Sequence, residues 1–335
     1  MSEPVTQLSA NRAQLLAEFF SPIAADLARA EQIFQEELQS DVPFIRELVD
    51  HLAHYRGKQL RPALLLLTAR ACGQVTPAHH TLAAVVEMIH TATLVHDDVL
   101  DGADLRRHVP TVHARWNNSA SVLLGDLLFT HAFYLASTTG SAEACRLIGE
   151  ATNRVCAGEL QQIGERGNLA LGEETYYSII RGKTAELTAC CCRLGAVFAG
   201  AEPQVVANLE RYGLELGIAF QIADDVLDLV GLEKNVGKSL GTDLEQRKLT
   251  LPLIRLLKVA EPETAVVIRG VLASSENHKR EKLAPMLARS DAVAYATQRA
   301  QRHAEHACEA LACLPDSPCK EILHLLAQRV VHRSA

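Results

Sequence analysis

L-V-H-D-D-V-L-D-G-A-D-L-R-R, the stretch from Leu94 to Arg107, ends an apolar helix in an acidic cluster and follows it with a doubled arginine. Its core word, D-D-V-L-D at Asp97 to Asp101, returns at Asp224 to Asp228, so six of the fourteen aspartates sit in two identical five-residue words. An acidic cluster is ordinarily the solvated face of a surface helix. Here the flanks argue otherwise, because residues 82–96 and 216–230 are apolar nearly all round, the mark of helices buried among other helices. At i and i+4, Asp97 and Asp101 project from one face of the helix, as do Asp224 and Asp228. Asp98 and Asp225 sit about 100° round the axis. Gly102 and Pro110 stop the first helix just after Asp101, which puts three anions at the negative end of its dipole, a destabilising placement without a cation. Hard oxygen ligands, few per site and with room for water and phosphate oxygens, suit Mg²⁺ held jointly by protein and substrate.

Working outward, the composition favours an all-α chain. Aromatic residues are 4% of the 335, and no stretch shows sustained period-2 alternation bounded by turn residues. A net charge of −7 argues against a nucleic-acid surface, which is usually basic. The N-terminus lacks a basic start followed by an apolar core, and no uncharged apolar run reaches the length of a membrane span, so a soluble cytoplasmic protein is expected. Cys190, Cys191 and Cys192 match no zinc or disulfide spacing and read as reduced, buried small hydrophobes.

In chain order, an amphipathic helix is drawn from Leu8 to Leu38, broken at Ser21-Pro22, and Asp41 with Pro43 reads as the cap and first turn of a helix running to about Tyr55. The link R-G-K-Q-L-R-P puts Lys58 and Arg61 at the N-terminus of an apolar helix that ends near Gly73, an anion-binding position. Thr76-Pro77 opens the helix carrying the first aspartate word. Arg106 and Arg107 then lie in a loop, where a doubled arginine can take phosphate oxygens in a forked geometry. His90, seven residues before Asp97, faces that site, whereas His96 reads as a packed helix residue. Asn118 or Ser119 caps a helix from Ala120 to Thr138, and helices follow over Ala142–Gly164 and Glu174–Ala199. Gly182 inside the last of these marks a close approach or kink that could turn Lys183 and Thr184 into a central cavity. Gly231 to Gly241, with three glycines and two lysines, reads as a basic lid without P-loop spacing, and a new helix is placed at Leu249. From Leu251 onward the segments read as scaffold.

Together these residues resemble the trans-prenyl diphosphate synthases over about residues 45–260. The matching motifs are G-K-x-x-R at Gly57 to Arg61, the first aspartate-rich motif with its double arginine at Asp97 to Arg107, and G-D at Gly125-Asp126. G-K-T at Gly182 to Thr184, F-Q-x-x-D-D-x-x-D at Phe220 to Asp228, and G-K at Gly237-Lys238 with Lys248 complete the set. The stretch I-H-T-A-T-L-V-H-D-D is most similar to long-chain members that make quinone side-chain precursors.

The resemblance implies one polyprenyl synthase domain over residues 1–335, a bundle of long helices around a central cavity (the isoprenoid synthase fold), paired as a homodimer, with the two aspartate words facing each other. It implies Asp97, Asp101 and Asp224 as the chief ligands of three Mg²⁺ ions, with Asp98, Asp225 and Asp228 acting through water. Arg106, Lys183 and Lys238 would hold the allylic diphosphate, for which farnesyl diphosphate is the expected starter. Lys58, Arg61, His90 and Arg107 would hold isopentenyl diphosphate, with Lys248 an addition. Thr184 and Gln221 would steady the allylic cation, and pyrophosphate would remove the final proton. The product's release would bring transient membrane contact. One departure is His108, at a position commonly glycine in the family.

Ala92 and Thr93, small residues one turn below the aspartates, leave the wall open where short-product members carry aromatics. The tail is expected to pass Ala92, Met88 and Val85 until Phe129 and Phe133 stop it, giving an octaprenyl product. Two other readings stay open: a non-catalytic partner subunit of a heteromeric synthase, which would be expected to have lost aspartates or lysines, and a class I terpene cyclase, whose second metal site follows a different pattern.

Overall fold

The structure, a computed structural model, describes residues 20–55, 57, 59–231, 240–274 and 278–331. Lys58, Lys238, the first part of the Leu8–Leu38 helix and most of the Gly231–Gly241 lid lie outside the described residues. The chain divides into two compact units. One comprises the described residues up to 147 with 191–210 and 311–325; the other comprises 148–190, 211–310 and those from 326 onward.

The first unit is built on α4 (Pro77–Leu100), which packs against α1 (Ala24–Glu37), α3 (Leu60–Cys72) and α6 (Asn118–Ser137). Leu64, Leu65, Leu66 and Leu67 are all fully buried, so α3 is covered on every side, each leucine contributing about 1.5–3 kcal/mol of burial. Thr76 opens α4 with a capping box in which His79 stands where Glu or Gln is usual. Its Nδ1 accepts from the Thr76 N–H at 2.9 Å, and the ring's Nε2 lies 3.1 Å from the Gly195 carbonyl. Gly102, at φ +62°, ends α4 in the left-handed conformation expected of a C-terminal glycine.

Helix α2 (Pro43–Leu52) is followed by a 3₁₀ turn to Tyr55, and the short α5 (Val112–Arg115) stands next to α6. Asp41 is not the cap of α2, as its spacing suggested: Val42 holds that position, with its N–H bonded to Ser40 Oγ. The α6 cap likewise falls one residue earlier than expected, on Asn117, whose Oδ1 accepts from Ala120 N at 2.8 Å. Among the described residues the only sheet is the hairpin of β1 (Leu105–Arg106) and β2 (Val109–Pro110), with Arg106 opposite Val109. Its two turn residues, Arg107 and His108, have φ of 52° and 66°, a type I′ turn. That explains why glycine suits position 108, where any side chain carries a left-handed penalty.

The second unit holds α8 (Glu173–Ile180), the larger part of α10 (Pro203–Val230), the short α11 (Thr242–Glu245), α12 (Leu251–Val259), α13 (Pro262–Ala273), α14 (Lys279–Ala288) and α15 (Ala292–Ala310). Helices α7 (Ala142–Gly164), α9 (Glu186–Phe198) and α16 (Pro318–Val331) each have residues in both units. A core of Tyr176, Ile222, Leu251, Leu253, Ile268 and Leu283 organises the second unit. The helix placed at Leu249 begins at Leu251, after Thr250. Between α8 and α9, residues 181–185 form a π-helical turn, so Gly182 does mark a distortion. A Cβ on Gly182 would stand 2.9 Å from the Arg154 carbonyl, and one on Gly158 of α7 would stand 2.5 Å from Lys183 N. The two backbones touch through paired glycines.

Candidate functional site

In the first unit α4 ends on the first aspartate word, and the division among its carboxylates follows helix geometry. Asp98 is buried, and its Oδ1 accepts from Arg106 at 2.9 Å (Nε) and 2.7 Å (a terminal nitrogen), which supplies the cation that the helix end requires. Its Oδ2 is also buried and has no hydrogen bond of normal geometry. Asp97 and Asp101, on the other face, are only half-buried.

Four basic side chains gather beside this word. Arg61, Arg106 and Arg107 all act on His90, and burial together with their charges holds its imidazole well below the usual histidine range. Burial also lowers the Arg61 guanidinium, whose Nε is buried without a hydrogen-bond partner among the described residues. Arg107 donates to the Tyr55 carbonyl at 2.9 Å and is cradled by Gly57, where a Cβ would stand 2.7 Å from the guanidinium. The guanidinium thus lies directly against the glycine of G-K-x-x-R, in space that a side chain there would have to share. The glycine of G-D has a similar role: a Cβ on Gly125 would overlap the His96 ring, whose Nε2 lies 3.0 Å from the Val122 carbonyl and 3.5 Å from Asp126. His96 is therefore a packed residue.

In the second unit the same word is arranged differently. Asp225 is buried, accepting from Tyr176 Oη at 2.6 Å and Gln221 Nε2 at 2.7 Å; burial and the charge of Asp243 push its carboxyl well above the usual range. Thr184 Oγ1 donates to Gln221 Oε1 at 2.8 Å, so Thr184, Gln221 and Asp225 form one chain of hydrogen bonds. Asp228 corrects the expectation of a second open pair at i and i+4. It is buried, and its two oxygens accept from Thr242 Oγ1 at 3.0 Å and Asp243 N at 3.1 Å. The short helix α11 docks on it, leaving Asp224 the half-buried carboxylate of this word. Lys183 forms an ion pair with Glu159 of α7 at 2.5 Å, while the Lys248 N–H bonds the Asp243 carbonyl at 2.8 Å. Lys248 lines a pocket with Gly167, Leu244 and Arg247.

Of the wall residues, Ala92, Met88 and Val85 are fully buried on α4, and Thr93 bonds the His90 carbonyl. Phe129 and Phe133 meet on α6 with ring centroids 5.5 Å apart and their planes tilted by 48°. Sequence reasoning missed Tyr55, Glu87, Glu159 and Tyr176. Glu87, whose charge acts on Arg61 and Arg107, carried a signal as the one acid in the apolar run 82–96. The others carried none, since ordinary helix faces contain such residues.

A family model described as Polyprenyl synthetase matches residues 42–289. The chain is 38% identical over 313 residues to the octaprenyl diphosphate synthase of Escherichia coli, covering 92% of this chain and 96% of that protein. The crystal structure of a decaprenyl diphosphate synthase from Rhodobacter capsulatus is similar with a TM-score of 0.90 at 37% identity, covering 96% of this chain and 99% of that one. A polyprenyl synthase from Caulobacter crescentus, complexed with calcium and isoprenyl diphosphate, gives 0.91 at 36%, with 96% and 98% covered.

Proposed function

The chain belongs to the polyprenyl synthetase family, and we propose that it extends farnesyl diphosphate with successive isopentenyl diphosphate units to an all-trans octaprenyl diphosphate that serves as a quinone side-chain precursor. As a member it is a prenyltransferase of the long-chain trans-prenyl diphosphate synthases. The observation that carries the reading is the basic cluster of Arg61, His90, Arg106 and Arg107, which includes a buried guanidinium N–H without a partner among the described residues, beside a carboxylate-rich helix end. Charge-assisted, forked donors are what a diphosphate needs. The family model runs across residues of both units, which supports one synthase domain.

The residues present fit divalent metal: the donors are carboxylate oxygens only, and Asp97, Asp101 and Asp224 are half-buried, open to an ion that keeps part of its water. Asp97, Asp101 and Asp224, the more accessible carboxylates, would hold Mg²⁺, three ions with substrate bound. Bound there, the metal would neutralise charge developing on the departing diphosphate. Arg106, Lys183 and Lys238 would take the allylic diphosphate; Lys58, Arg61, His90 and Arg107, with Lys248, would take isopentenyl diphosphate. Because Thr184 gives its proton to Gln221, its oxygen presents lone pairs to a neighbouring cation. Asp98, Asp225 and Asp228, each committed to protein donors, orient these groups and meet metal only through water.

Purified protein supplied with Mg²⁺, isopentenyl diphosphate and farnesyl diphosphate should give a C40 product by mass spectrometry; failure to extend any allylic starter would overturn the proposal. Arg107→Lys puts a point charge where a fork is needed. The Michaelis constant for isopentenyl diphosphate should rise about tenfold with kcat largely retained, and an unchanged constant would remove Arg107 from that role.

His90 gives a pH prediction. Its folded-state pKa is depressed, so its contribution to stability is full above the ordinary value of 6.5 and is lost as pH falls toward the depressed value. A bound diphosphate adds negative charge and raises that pKa. Calorimetry at pH 6.5 in buffers of different ionisation enthalpy should therefore show a more positive proton uptake on binding isopentenyl diphosphate in the parent protein than in His90→Asn, and equal uptake in the two would overturn the prediction.

Helix α6 is the one described helix long and apolar enough to cross a membrane by length and composition. Leu123, Leu127 and Tyr134 are exposed along one stripe of it. We read that stripe as the contact face of a homodimer in the cytoplasm, with membrane contact confined to product release.

A further inference from the structure

Away from both aspartate words, three ligand-type side chains meet in the second unit. Glu215 lies on α10, and His303 and His306 lie three residues apart on one face of α15. Glu215 Oε2 accepts from His303 Nδ1 at 2.6 Å and stands 3.7 Å from His306 Nδ1. One ligand atom from each residue lies within 4.8 Å of the other two. The side chains are partly exposed, at 17% for Glu215, 22% for His303 and 33% for His306, so water can reach the group. The Tyr177 ring packs on His303 at 5.7 Å and fixes one imidazole. Arg211, one turn before Glu215, also acts on its carboxylate, and it pairs with Glu309 at 3.9 Å.

We propose that Glu215, His303 and His306 form a site for a borderline transition-metal ion such as Zn²⁺, distinct from the carboxylate sites. The donor set separates the two kinds of site. Mg²⁺ takes oxygen ligands and retains its water, whereas two imidazoles with one carboxylate are a Zn²⁺ set whose fourth position goes to water. Zn²⁺ bonds of 2.0–2.1 Å in a tetrahedron put ligand atoms about 3.4 Å apart. The His306 to Glu215 separation of 3.7 Å is already near that value. The His303 to Glu215 hydrogen bond must open by under about 1 Å as the metal replaces its proton, and the two imidazole nitrogens, within 4.8 Å of each other, must close to the same spacing. A simple ion pair would need His303 alone; His306, aimed at the same oxygen from the same helix face, completes a third ligand. Two neutral imidazoles and one carboxylate carry a single negative charge, which a dication offsets.

The site would tie α15 to α10 about 13 Å along the axis from Asp224, nine residues on. It does not depend on the synthase reading. The test uses the full-length protein after chelation, titrated with Co²⁺ as a spectroscopic probe and then with Zn²⁺. The expected result is one equivalent of Co²⁺ with the visible d–d bands of four-coordinate nitrogen and oxygen ligation, no thiolate charge-transfer band, and displacement by Zn²⁺. Zn²⁺ should also raise Tm. His306→Ala leaves the His303–Glu215 bond in place, so its metal-free Tm should be unchanged while the Co²⁺ bands and the Zn²⁺ shift are lost. Glu215→Gln should also lose the bands. Absence of the bands in the parent protein, a thiolate charge-transfer band, or bands that persist in both variants would each overturn the proposal.

Discussion

Asp97→Ala and Asp224→Ala should each lower kcat by more than about a hundredfold while leaving the fold intact, because a pre-positioned charge on a leaving group is lost with its ligand. The two aspartates differ from their neighbours in burial. Asp98, Asp225 and Asp228 are buried and spend their oxygens on Arg106, on Tyr176 with Gln221, and on Thr242 with Asp243 N. Their replacement should lower stability as well, since each leaves buried donors unpaired at about 1–3 kcal/mol. Steady-state kinetics beside urea denaturation separates the two classes. Near-normal turnover in Asp97→Ala or Asp224→Ala would remove the metal assignment.

Ala92→Phe should shorten the product to about fifteen or twenty carbons, a change of kind. A helix turn advances 5.4 Å, close to one extended isoprene unit, so each turn of wall without bulk admits roughly one further unit. Ala92, Met88 and Val85 are fully buried on α4, and the half-buried Phe129 and Phe133 meet at a tilt on α6, which packs against it. A ring at 92 would close that line near its top. Overpacking would cost about 1–3 kcal/mol, so the variant should be sized by mass spectrometry at a temperature where it stays folded. An unchanged long product would show that the tail runs elsewhere.

The helices were legible because their ends carry strong chemistry: Thr76-Pro77 and Gly102 bound α4, and α7 occupies the expected span from Ala142 to Gly164. Caps were read one residue off at α2 and α6, since neighbouring polar residues compete for one role that only hydrogen-bond geometry decides. The aspartate words were legible through repetition, but the fate of Asp228 was not. Its partners come from fourteen and fifteen residues downstream and have no periodic relation to it. His303 and His306 fall in the stretch that reads as scaffold, and Glu215, which meets them, is 88 residues from His303, so no local spacing links the three. Glycines were partly legible: Gly182 reads in the sequence as a close approach or kink, and its Cβ would stand 2.9 Å from the Arg154 carbonyl, whereas Gly57 and Gly125 read only as motif letters, and a Cβ there would meet the Arg107 guanidinium and the His96 ring.

The π turn at residues 181–185 sets the phase of everything that follows it in its helix. An extra residue in one turn delays the rotation of later side chains by about 100° relative to an uninterrupted α-helix. Within the turn itself Lys183 meets Glu159 of α7 and Thr184, the next residue, meets Gln221 of α10. Loss of Ala185 would therefore act as a rotation, redirecting Glu186 and the three cysteines to new neighbours while Lys183 and Thr184 kept their identity.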